Sequence, residues 1–183
     1  MRCRRNGKSK NGFSLIEILV ATTIIVMLAS MMLFNIKGGE KQFALARSAN
    51  KIAQDIRRTQ EMAMSAKEFN GSVPLGGYGL YFDKVQLGDT TYLIFADSDG
   101  DGLPDLPGEE VERINLEKNI KFSKFFMGVT ESSNAYFVFI PPDPQTCINT
   151  CTSDSVKIII SVTDNPARTK TIKLNKAGLI EIE

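Results

Sequence analysis

An uninterrupted apolar run over residues 13–34 constrains this chain more than any other feature. Wound as a helix at 1.5 Å per residue, it is about 33 Å long, enough to cross a hydrocarbon core. Its single charged side chain is Glu17. A carboxylate at membrane depth is costly, so it is read as functional and as wanting a partner. The other polar side chains of the run, Ser14, Thr22, Thr23 and Ser30, carry hydroxyls that can bond back to helix carbonyls.

A basic leader precedes the run. Arg2, Arg4, Arg5, Lys8 and Lys10 lie before Gly12 with no acidic residue among them. Positive charge on one flank predicts that this end stays cytoplasmic and the C-terminal bulk lies across the membrane. The chain carries 22 basic and 21 acidic residues, and all of the acidic ones lie beyond the leader. The remainder is therefore mildly acidic and is no phosphate-backbone binder, whose affinity rests on clustered Lys and Arg. There is no His. That excludes Ser-His-Asp and Cys-His nucleophiles and zinc-histidine chemistry, so no enzymatic role is expected.

Three kinds of segment have a basic leader and an apolar run. A secretory signal peptide needs a small-residue cleavage site after its core, and Ala29-Ser30 is a poor one. A plain signal anchor explains length and orientation but neither Gly12 nor Glu17. The stretch Lys10-Asn11-Gly12-Phe13-Ser14-Leu15-Ile16-Glu17-Ile18-Leu19-Val20 resembles the class III leader and mature start of type IV pilins and pseudopilins.

That resemblance implies processing by a membrane prepilin peptidase, which cuts after Gly12 and methylates the new amine of Phe13. It makes Glu17 the fifth mature residue and an assembly residue. In a fibre, Glu17 of one subunit would pair with the Phe13 amine of its neighbour. Two unfavourable charges become one pair, and the pairing sets axial register. The partners implied are the prepilin peptidase, other pilins or pseudopilins through the N-terminal helix, and an inner-membrane assembly platform. The implied location is the bacterial inner membrane, single-pass, with the head in the periplasm.

The pattern predicts a leader over 1–12, a membrane-spanning or fibre-core helix over 13–34, an amphipathic continuation over 35–69 and a β-rich head over 70–183. Leu45, Ala49, Ile52, Ile56, Ala63 and Ala66 recur at three- and four-residue steps, with Thr59 in the gap. They make one apolar stripe to be covered by the chain's own sheet. Many members of the resembled family carry a kinking proline at the place that Phe34 occupies here. Gly38 and Gly39 are the expected hinge instead, since each costs about 1 kcal/mol in a helix interior.

Beyond a Gly- and Pro-containing linker, strands are expected over 79–82, 91–96, 111–116, 120–126, 135–140, 156–162, 169–174 and 178–182. No strand–helix–strand rhythm appears. The fold class expected is α+β, a long N-terminal helix on an antiparallel β-sheet head. The order of these segments also resembles H-type minor pseudopilins of type II secretion and FimT-like pilins. It is carried by Tyr78-Gly79-Leu80-Tyr81-Phe82, then Leu93-Ile94-Phe95-Ala96-Asp97, and a terminal hairpin at Lys176-Ala177-Gly178-Leu179-Ile180.

Two head sites stand out. Asp97, Asp99, Asp101 and Asp105 alternate with Gly100 and Gly102, a spacing that suits Ca²⁺. An EF-hand would have glutamate where Gly108 stands, and Glu109 and Glu110 come just late. The other reading is a polar turn. No cofactor is required, and Ca²⁺ is the one candidate. Cys147 and Cys151 are expected to form a small disulfide loop on the oxidising side of the membrane.

Lys170, Lys173 and Lys176 make a small basic cluster. DNA-binding FimT-like pilins carry an arginine-containing motif after the terminal glycine. Here Gly178 is followed by Leu179-Ile180-Glu181-Ile182-Glu183, without arginine, so no nucleic acid is expected. The function expected is a minor pseudopilin of type II secretion. The alternatives are a minor pilin of a type IV pilus, and a membrane-anchored calcium-dependent binding module.

Overall fold

The computed structural model describes residues 12–142 and 145–183, without the side chains of 32–38. Residues 1–11 of the leader, with Cys3, lie outside the described residues, as does the side chain of Phe34. The chain resolves into two compact units that divide between Glu40 and Lys41.

One helix, α1 (Leu15–Met64), belongs to both units and is continuous through Gly38 and Gly39. In the first unit its described apolar side chains all face outward; Leu15 is 82% exposed and Ile16 70%. A helix that is apolar all round needs a cover of lipid or other helices. The Thr22, Thr23 and Ser30 hydroxyls donate to the carbonyls of Leu19, Leu19 and Met27 at 3.0, 2.8 and 2.8 Å. Their polarity is thereby met within the helix.

Among the described residues no helix is long and apolar enough to cross a membrane. The expected span over 13–34 takes in residues 32–34, whose side chains lie outside the described residues.

Among its described residues the second unit contains ten strands. They are β1 (Gly77–Asp83), β2 (Thr91–Asp97), β3 (Glu110–Asn115), β4 (Ile120–Met127), β5 (Thr130–Ser132), β6 (Asn134–Ile140), β7 (Gln145–Ile148), β8 (Ser155–Val162), β9 (Asn165–Asn175) and β10 (Ile180–Ile182). They form two five-stranded sheets, ordered β3-β2-β1-β6-β7 and β10-β9-β8-β4-β5. Every neighbouring pair is antiparallel. The α+β class is therefore observed, with eight strands where the alternation placed them. β5 and β7 carry no apolar alternation of their own, and only pairing with β4 and β6 makes them strands.

The helical stripe is buried as expected. Leu45, Ala49, Ile52, Ile56, Thr59 and Ala63 are inaccessible and share a core with both sheets. Ala66 departs from it: it is exposed and left-handed at φ 46°. It ends the helix. Ala66 N–H donates to Ala63 O, and Lys67 N–H to Met62 O, which is a Schellman stop with alanine where glycine is usual.

Phe82 of the first sheet is the hub between sheets. Its ring lies 5.3 Å from Tyr92, 5.4 Å from Phe122 and 5.9 Å from Phe125. A register shift between Phe122 and Lys124 leaves Ser123 in a bulge. Lys84 Nζ donates to the Ser123 carbonyl and sits 5.3 Å from the Phe125 ring. The freed acceptor and the face of an aromatic thus share one cation.

The first sheet is apolar on both faces. Tyr81, Leu93, Phe95 and Val138 form a second cluster, against which Leu87 and Leu106 pack. Leu106 belongs to the β2–β3 connection. That connection is therefore a structural cover as well as the acidic segment singled out in the sequence.

Candidate functional site

At the N-terminal end, Ser14 stands just before α1. The Glu17 N–H donates to Ser14 Oγ at 3.3 Å and to Ser14 O at 3.1 Å. Ser14 is therefore the N-cap, and Ser-x-x-Glu is the sequence form of a capping box. Glu17 also sits in the first turn, where a negative charge complements the helix dipole. This local role was legible in the spacing of Ser14 and Glu17 and was missed there. Phe13 is 78% exposed, and nothing lies within 4 Å of where a Cβ on Gly12 would stand. Among the described residues nothing covers the peptide between them. Glu17 is exposed and free to meet a partner from outside the chain.

The acidic segment is a loop held by two buried carboxylates. Asp97 ends β2. Its Oδ1 accepts from Gly100 N–H at 2.7 Å and its Oδ2 from Gly102 N–H at 2.9 Å. Glu109 precedes β3. Its Oε1 accepts from Ser98 N–H at 2.6 Å and its Oε2 from Asp105 N–H at 3.0 Å. Asp97 leaves no room for a side chain at residue 76: a Cβ on Gly76 would stand 1.8 Å from Asp97 Oδ2. Burial pushes the Asp97 carboxyl above the usual range. The backbone bonds from Gly100 and Gly102 oppose this, and the nearby acids Glu109 and Asp101 add to it.

The expected calcium ligands are only partly brought together. Ligand oxygens of Asp97, Asp99 and Glu109 lie within 4.8 Å of one another. Asp101 and Asp105 are outside this group. Asp101 Oδ1 instead accepts from Leu103 N–H, and Asp105 contributes its backbone to Glu109. Of the expected four, Asp97 and Asp99 stand in this group, and Glu109 joins them. Glu109 was passed over because it comes one residue late for an EF-hand, and only the folding back of the loop supplies it. Ligands at 2.3–2.6 Å from one Ca²⁺ fit this spacing, with the exposed side at Asp99 left for water.

Cys147 and Cys151 form a disulfide with Cα atoms 4.3 Å apart. Asn149, Thr150 and Cys151 inside it are all left-handed, at φ 50°, 50° and 61°. Asn149 is the residue suited to that region, and Tyr136 Oη donates to its Oδ1 at 2.9 Å. Of the three lysines, Lys173 is paired with Glu183, so the C-terminal basic cluster is partly neutralised by its own chain.

The prokaryotic N-terminal methylation motif matches residues 7–33. This match takes in Gly12, Phe13 and Glu17 and supports the type IV pilin and pseudopilin family broadly. A signal of this kind goes with prepilin peptidase processing, assembly with other pilins and anchoring at the inner membrane, and the family is generally structural rather than catalytic. No curated protein and no solved structure matches the chain.

Proposed function

We propose that this chain is a minor pseudopilin of type II secretion, cut between Gly12 and Phe13 and built into a short periplasmic fibre. The observation that carries the reading is the methylation motif over residues 7–33 leading into a helix whose apolar side chains are exposed on every side. The motif supports the pilin and pseudopilin class; the order of head segments, shared by resemblance with H-type pseudopilins, favours type II secretion over a type IV pilus. The exposed helix is what a fibre core needs, because packing against copies of itself removes that surface from water. Glu17 pairs with the Phe13 amine of the next subunit and sets the register. Gly38 and Gly39 give the helix its point of bending between fibre core and head.

The experiment is mass spectrometry of the N-terminus from cells with and without the prepilin peptidase. An N-methylated Phe13 in the first and a retained leader in the second is expected. A retained leader in both overturns the reading. Deletion of the secretion genes then separates the machines: loss of the fibre places the subunit in type II secretion, and survival places it in a type IV pilus.

The acidic loop enters as a Ca²⁺-stabilised element of the head, with Asp97, Asp99 and Glu109 as protein ligands. The support is that two of these carboxylates are buried and that the charges bearing on Asp97 are themselves acidic. A divalent cation relieves that repulsion and ties the loop ends together.

A further inference from the structure

β10 ends the second sheet, and among the described residues its outer edge is unpaired. Its inner edge is known from its bonds: Thr171 and Glu183 each donate an N–H to the other's carbonyl, and Asn175 N–H donates to Leu179 O. Antiparallel pairing alternates, so the N–H and C=O groups of Ile180 and Ile182 point away from β9. Among the described residues they have no backbone partner.

A groove of about 480 Å³ lies between β10 and the last turns of α1. Met64, Leu179 and Ile180 give it apolar walls, and Leu179 is 56% exposed. Gly178 keeps it open. At φ 79° it turns the β9–β10 hairpin, and a Cβ there would stand 3.1 Å from Gln60 Nε2. Thr146 Oγ1 lies 3.7 Å from the same point, buried and without a partner among the described residues. Arg57 and Glu61 stand on the helical rim. The neighbouring Arg58 is taken up by Glu112, whereas neither Arg57 nor Glu61 has an ion pair among the described residues.

The geometry points to an interaction surface for an extended peptide segment of another polypeptide, which adds as one further strand on β10. Its signature is an acidic and a basic side chain two residues apart. Arg57 and Glu61 are four residues apart, about 6 Å along the helix. Side chains two apart on one face of a strand are about 6.7 Å apart. An acid opposite Arg57 therefore brings a base opposite Glu61. Backbone bonds to Ile180 and Ile182 give affinity, and the charge pair gives direction. Three residues of ladder alone bind weakly, so the groove and the two charges must hold the register. The inference does not depend on how the leader is processed.

The test uses the full chain in detergent micelles and two labelled peptides, Thr-Glu-Val-Lys-Val-Thr and its charge-reversed form Thr-Lys-Val-Glu-Val-Thr, read by fluorescence anisotropy. Saturable binding with a preference for one peptide is expected. Ile182→Pro removes only an outward N–H, which edge strands tolerate, and should weaken binding tenfold or more. The double exchange Arg57→Glu with Glu61→Arg should reverse the preference, and it serves as the arbiter if Ile182→Pro melts β10 by circular dichroism. Binding of neither peptide, or a preference unmoved by the exchange, overturns the proposal. Sedimentation velocity covers the other occupant: a dimer abolished by Ile182→Pro would show that β10 pairs with a second copy, and would likewise overturn it.

Discussion

Asp97 and Glu109 stand at opposite ends of the loop between β2 and β3, and each binds two backbone N–H groups of that loop. Four bonds from two buried carboxylates close a segment that has no regular structure of its own. The closed loop in turn lays Leu106 over the outer face of the first sheet. The acidic residues therefore do local structural work before any cation is considered.

Asp97 sets a pH dependence of known sign. Its folded-state value is raised above 3.8, chiefly by burial. The stability it contributes is fully present below that ordinary value and is lost as pH rises through the raised one. Carboxylates held low by basic partners, such as Glu117 beside Arg47, act in the opposite sense, so the comparison must be differential. The stability of Asp97→Asn relative to the parent chain should rise with pH between pH 3.5 and 7, in urea titrations. A difference that stays flat would show that Asp97 is not strained by its charge.

The proposed Ca²⁺ site involves the same charge. At neutral pH, millimolar Ca²⁺ should raise the thermal midpoint of the parent chain relative to a chelator, as any ligand of the folded state does. The gain should vanish in Asp97→Asn and in Glu109→Gln but persist in Asp105→Asn. A gain equal in all four proteins would place the ion elsewhere.

Glu17 has two separable roles. As the N3 residue of α1 it supports the helix start, and as an exposed carboxylate it is offered to a neighbour. Ser14→Ala removes the cap alone, at about 1 kcal/mol of helix stability, and should still assemble. Glu17→Ala should be cut at Gly12 yet fail to enter fibres, as read by sheared-fibre immunoblots. Equal incorporation of both variants would leave Glu17 with the capping role only.

Ala66 is left-handed where a helix stop usually has glycine. Ala66→Gly should therefore stabilise the head by up to about 1 kcal/mol in urea titrations, against the small entropic loss that glycine brings in the unfolded chain. Destabilisation would mean that the alanine methyl makes contacts that outweigh its backbone strain.

The Cys147–Cys151 loop is too short to stabilise much through chain entropy, at most about 2 kcal/mol. Its effect should be local. Replacing both cysteines with serine should speed amide exchange over residues 145–153, where three consecutive residues are left-handed, and leave exchange in β1 and β8 unchanged. Uniform acceleration would make the disulfide a global staple.

What the chain states in one dimension was readable from residues close together along it. The leader motif, the 3.6-residue stripe from Leu45 to Ala63 and the alternation of Val156, Ile158 and Ile160 each report their own segment. They establish a long helix, a run of strands and an N-terminal signal without knowledge of neighbours. Tertiary structure alone decided which strands lie together, since β1 beside β6 and β4 beside β8 join segments far apart in sequence. It also made strands of β5 and β7, whose backbone partners are the neighbouring strands β4 and β6. It set Glu109 against Asp97 where spacing had named Asp101 and Asp105, because a ligand set depends on how a loop closes in space. The first sheet's second apolar face was hidden for the same reason: a period of two reports which side chains share a face, not whether a distant loop will cover the other one.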